Sequence, residues 1–76
     1  MNYAIMYARK GTYTLWFEKN GNMYTVGDFD TITHTHTFHE EYEMYDDAVD
    51  RFLDLCHEKG MPPQNVKHDP NNFNFD

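Results

Sequence analysis

Residues 12–26 read Thr12-Tyr13-Thr14-Leu15-Trp16-Phe17-Glu18-Lys19-Asn20-Gly21-Asn22-Met23-Tyr24-Thr25-Val26. The first seven alternate in character. Tyr13, Leu15 and Phe17 fall on one face, while Thr12, Thr14 and Trp16 fall on the other, the period of two that a half-buried strand shows. Asn20-Gly21 follows, a pair that readily takes the two positive-φ positions of a type I′ turn. Met23–Val26 then predicts the returning strand, with Gly27-Asp28 as its end. This stretch reads as a β-hairpin, and it decides that the protein is built on an antiparallel sheet.

Upstream, Tyr3, Ile5 and Tyr7 alternate with Ala4, Met6 and Ala8, so a further strand precedes the hairpin, with Arg9-Lys10-Gly11 as the turn. Downstream, four threonines between Thr31 and Thr37 alternate with Ile32, His34 and His36, which favours a strand over 31–38. Thr37-Phe38-His39-Glu40 also has the spacing of a capping box, which leaves 39–44 open between linker and helix. Residues 45–59 predict a helix. Asp46 and Asp47 lie in its first turn, where acids complement the dipole. Lys59-Gly60 and then Pro62-Pro63 stop it. Tyr45, Val49, Phe52, Leu53 and Cys56 are spaced to face the sheet.

The expected architecture is a single α+β domain over residues 1–60, an antiparallel β-meander of three to four strands with one C-terminal α-helix packed on one face. Residues 61–76 form a Pro/Asn-rich tail whose apolar side chains are Met61, Val66, Phe73 and Phe75. Phe73 and Phe75 have the spacing to dock as a short edge strand.

A chain of 76 residues buries only about 60% of the surface its unfolded form exposes, so a deep cavity or a dinucleotide-binding fold is not expected. The longest apolar run, Leu15-Trp16-Phe17, cannot span a bilayer. Residues 1–10 lack the apolar core of a signal peptide. Cys56 is the sole cysteine, so no internal disulfide is available, and a reducing, cytoplasmic setting is expected.

Charge is placed unevenly. Of a net −7, residues 28–58 carry ten acids against Arg51 alone, a balance of −9. Such a segment repels phosphate and attracts basic protein surfaces, so direct nucleic-acid or membrane binding is not expected. On the helix, Asp46, Asp50 and Asp54 are four apart and form one row, about 6 Å between neighbours. Asp47, Arg51 and Glu58 lie beside it, and Glu40, Glu41 and Glu43 lead into it. The plain reading is a solvated helix face. The sharper one is a surface that imitates phosphate and occupies a Lys/Arg-lined groove of a nucleic-acid-processing host protein.

Thirteen of the residues are aromatic, and most of them are needed to fill so small a core. Trp16 and Tyr24 stand out as candidate partner-binding anchors on an exposed sheet face. His34 and His36 would share one face of a strand, a His-x-His pair able to offer two imidazoles to zinc. A half-exposed strand face of His alternating with Thr is the plainer alternative. Cys56 belongs to the apolar helix face, with packing as its expected role. No Gly-rich phosphate loop, Gly-x-Ser-x-Gly or Cys-x-x-Cys is present, and the expectation is a non-enzymatic protein.

By size, charge and the lack of catalytic motifs, the chain resembles phage-encoded inhibitors of host machinery, such as anti-CRISPR proteins and DNA mimics. That likeness is one of class, carried by no motif. The expected function is an acidic, protein-binding inhibitor using Glu43, Asp46, Asp47, Asp50 and Asp54, with Trp16 and Tyr24 beside them. The alternatives are a small metal-binding module built on His34 and His36, and a structural or assembly protein.

Overall fold

A computed structural model describes residues 2–66. Three long strands come first: β1 (Asn2–Lys10), β2 (Tyr13–Asn20) and β3 (Met23–Asp30). A short strand β4 (His39–Tyr42), the helix α1 (Tyr45–Lys59) and a two-residue strand β5 (Gln64–Asn65) complete the order. All five strands belong to one antiparallel sheet in the order β4-β3-β2-β1-β5.

Both hairpins are closed by two-residue loops. Lys10 pairs with Tyr13 across Gly11-Thr12, and Asn20 pairs with Met23 across Gly21-Asn22. Gly11 has φ 61° and Gly21 φ 63°, while Thr12 and Asn22 do not take positive φ. A positive φ at the first central residue alone is the mark of a type II′ turn. The turn expected from Asn20-Gly21 therefore sits one residue later and is of the other primed type, with Asn20 still in the strand.

The pairing fixes which side chains face α1. Phe17 is opposite Val26 and Met6, and Leu15 is opposite Asp28 and Ala8. Ala8, Leu15, Phe17 and Val26 join Ala48, Phe52, Leu55, Cys56 and Met61 in the buried core. Phe17 and Phe52 are fully buried, each contributing on the order of 1.5–3 kcal/mol by removal from water. A bulge between Ala4 and Met6 interrupts the register of β1. The Val66 N–H donates to the Ile5 carbonyl there, at 3.0 Å.

The helix occupies the expected span. Its first turn has no side-chain cap, because Met44 stands at the N-cap. At the other end Gly60 adopts φ 65°, its N–H reaches the His57 carbonyl, and the Met61 N–H reaches that of Cys56 at 2.8 Å. That pair of bonds is a Schellman closure, which favours glycine at the left-handed position.

Four expectations are corrected. The strand over 31–38 is a loop: residues 31–34 form a turn with His34 at φ 56°, and only Thr35 bridges to Asp30. Strand β3 does not stop at Val26 but continues to Asp30. On α1, Phe52 and Cys56 are buried as expected, Val49 is half-buried against the core and the part-exposed Tyr45 ring packs on Phe17 and Tyr24, but Leu53 is exposed, and Ala48 and Leu55 take further inward positions. The chain also remains on the core beyond residue 60, since Met61 is buried, and the segment expected as a tail does supply an edge strand, at Gln64–Asn65 paired with Tyr7 and Met6. Phe73 and Phe75 lie outside the described residues.

No helix of the described residues is long and apolar enough to cross a membrane.

Candidate functional site

The acids of α1 sort themselves by helical position. Ala48, Phe52, Leu55 and Cys56 define the inward side. At 100° per residue, Asp46, Asp50 and Asp54 then fall on the far side with Asp47 and Glu58 next to them. All five are exposed, as is Glu43 just before the helix. Among the described residues none of the six takes part in an ion pair.

Arg51 would be expected to neutralise part of this surface, but it is turned toward the sheet. Its Nε lies 3.0 Å from Glu40 Oε1 and its Nη2 3.3 Å from Oε2. The Tyr42 hydroxyl donates to the same Oε1 at 2.7 Å. The Arg51 and Tyr42 donors hold the Glu40 carboxyl below the ordinary carboxylate range. The only Lys or Arg among residues 28–58 is thus engaged by an acid of β4 and does not compensate the outer row of α1.

The structure separates the two aromatic candidates. Tyr24 is on the helix side of the sheet, with its ring 6.2 Å from Phe17 and 5.5 Å from Tyr45, and with Lys19 Nζ 4.5 Å above it. It is half-buried scaffold at the N-terminal end of the acidic row. Trp16 projects from the opposite face. Its benzo ring covers Gly27, and its edge contact with His39 has a centroid distance of 5.7 Å. Beyond it, the Glu18 carboxyl is pushed up by burial, an effect partly opposed by His39. His39 in turn lies 3.9 Å from Glu41. Trp16 and the helix acids therefore cannot serve a single flat interface.

His34 and His36 do not share a strand face. Both rings lie against Phe29, with centroid distances of 6.4 and 4.8 Å. His36 Nδ1 is 2.5 Å from the Asp28 carbonyl oxygen. No group of three or more His, Cys, Asp or Glu placed to hold a metal ion occurs among the described residues. Cys56 is buried, and burial pushes its thiol up, away from the thiolate that a nucleophile requires.

The residue that organises this end of the molecule is Asp28, which the sequence marks only as a strand terminator. It is fully buried. It accepts hydrogen bonds from the Tyr13 hydroxyl at 2.7 Å, from the Thr37 N–H at 2.7 Å, from the Phe38 N–H at 3.2 Å and from the Thr37 hydroxyl. Thr37, the apparent helix cap, thus spends its hydroxyl on Asp28. A signal was present: Tyr24, Val26 and Asp28 have the same parity, so continuing the strand two residues places a carboxylate among core positions.

Asp30, half-buried two residues further along β3, performs the neighbouring task. Its Oδ1 accepts from the Ile32 and Thr33 N–H groups and from the Thr12 hydroxyl, which shapes the turn that replaces the expected strand.

In comparisons with protein-family models, curated proteins and solved structures, nothing matched the chain.

Proposed function

We propose that this protein is a non-enzymatic inhibitor whose α1 carboxylates occupy a basic, nucleic-acid-binding groove of another protein. One observation carries the reading. Asp46, Asp50 and Asp54 stand in an exposed row without counter-ions among the described residues, while Arg51, the one Lys or Arg within residues 28–58, is held by Glu40 on the sheet. Concentrated like charge opposes compaction, so its retention on one rigid element favours a use in recognition. A nucleic-acid strand carries one phosphate per ~3.4 Å along the duplex axis. The helix row, at about 6 Å per carboxylate, has roughly half that density, and Asp47 and Glu58 beside it bring the surface closer to it.

The test is retention of proteins from nuclease-treated lysate by the native chain and by an Asp46→Asn, Asp50→Asn, Asp54→Asn variant. The expected result is a nucleic-acid-binding protein that the native chain retains, the variant loses and added duplex DNA displaces. Its affinity should fall steeply with salt. Equal retention by both forms, or binding insensitive to salt and DNA, excludes phosphate mimicry and shifts attention to the Trp16 face.

A further inference from the structure

The acidic row does not stand alone on α1. Tyr45, Val49 and Leu53 repeat at the same interval of four and form a second row directly alongside Asp46, Asp50 and Asp54. Tyr45 is 43% and Leu53 39% exposed, and Met44, at the head of the row, is 62% exposed. Three of the four large hydrophobic side chains that the described residues expose therefore lie on this one edge of the helix or immediately before it. The Tyr45 ring is held by Phe17 and Tyr24 at 5.4 and 5.5 Å, so its orientation is set before any partner arrives.

Isolated apolar side chains on a surface call for no explanation. Exposed apolar side chains at Tyr45 and Leu53 beside a carboxylate row do, with Val49 between them half-buried against the core, because a pure phosphate mimic gains nothing from exposing Leu53 among its charges. Rows at intervals of four are the ridges through which helices pack on one another. We infer that the partner element that reads this face is an amphipathic basic helix, its apolar ridge seated along Tyr45, Val49 and Leu53 and its Lys/Arg ridge along Asp46, Asp50 and Asp54. The inference rests on the basic-partner reading above and adds its shape and chemistry. Charge gives the attraction, and the apolar row gives register and selects a helix over a phosphate-shaped groove lined by cations alone.

Two synthetic helical peptides of equal length and equal Lys content test this, one with Leu at the positions between lysines and one with Ala there. Binding to the full chain is followed by NMR shift changes and by affinity. The native protein should prefer the Leu peptide by about three- to tenfold, as burial of partly exposed Leu and Tyr side chains allows. Shifts should centre on residues 45–54. Leu53→Ser, at an exposed position that leaves the core intact, should remove most of the preference while retaining binding to the Ala peptide. Asp50→Asn with Asp54→Asn should weaken both peptides together. Equal affinity for the two peptides overturns this inference and leaves the charge-based reading standing. Preference unaffected by Leu53→Ser overturns it as well, and binding of neither peptide overturns both readings.

Discussion

The benzo ring of Trp16 fills the space that a side chain on Gly27 would need. A Cβ placed on Gly27 would stand 2.3 Å from Trp16 Cζ2 and under 3 Å from two further ring carbons. The two residues are direct cross-strand partners. Gly27 is therefore a packing position inside β3 and not the strand breaker that its type suggests.

Gly27→Ala should destabilise the fold by about 1–3 kcal/mol through forced displacement of the indole. Urea unfolding followed by Trp16 fluorescence measures this. Trp16→Leu in the same chain should recover much of the loss, since the two substitutions share one contact. Strict additivity of the two would show that the indole does not depend on the missing side chain.

Asp28 leads to a prediction on acid stability. Burial alone would raise its carboxyl. The hydrogen bonds from Thr37, from Tyr13 and from the Thr37 and Phe38 N–H groups outweigh burial and hold it below the ordinary range. The folded state thus binds this proton less readily than the unfolded state. Its stabilisation is present above the unfolded carboxyl's range, near pH 4, and is lost as pH falls through the lower folded value. Asp28→Asn should remove that part of the acid dependence, read from urea midpoints between pH 3 and 7. Tyr13→Phe, which deletes one charge-assisted bond, should cost about 1–3 kcal/mol. Burial and then Asp28 push the Tyr13 hydroxyl well above its usual range. It remains a donor until strongly alkaline pH, where the stability it contributes is lost.

Thr25 is fully buried on the face opposite α1, and its Oγ1 has no hydrogen-bond partner among the described residues. Replacing the hydroxyl with a methyl keeps the β-branched shape and removes an unsatisfied polar group. Thr25→Val should therefore stabilise the protein by about 0.5–1.5 kcal/mol. A shift of the thermal midpoint in the opposite direction would show that the hydroxyl is satisfied in solution.

The pair of Arg51 with Glu40 connects stability to recognition. Both side chains retain more than 30% exposure, so Arg51→Gln should cost only about 0.5–1 kcal/mol after solvent screening. The same change makes the helix surface more negative by one charge. Affinity for the basic peptides should rise in Arg51→Gln while the thermal midpoint falls, and a parallel loss of both would assign Arg51 to the interface itself.

The sheet and helix were legible because their signals are local. Alternation through Tyr13, Leu15 and Phe17 marks a strand, Gly21 permits the primed turn, and Gly60 closes the helix where Pro62 forbids its extension. The segment 31–38 misled for the complementary reason. Its threonines favour an extended chain, but two carboxylates outside the segment, Asp28 and Asp30, supply acceptors to its N–H and hydroxyl groups and fold it into a loop. Nothing inside those eight residues announces that. The exposed acids of α1 were readable from spacing alone. The removal of Arg51 from among them was not, because Glu40 meets it only after β4 joins the sheet.

The order of strands also dictates how the chain can assemble. β1 through β4 each pair with a neighbour in sequence, and of the described strands only β5 must travel back past the hairpins and helix, to Met6 and Tyr7. Two tight turns can therefore zip the central sheet while little loop entropy is lost, and the helix follows on a template already formed. The two-residue β5 pairing, with the longest loop to close and the fewest bonds to hold it, is the natural last event in folding and the first to release when the molecule breathes.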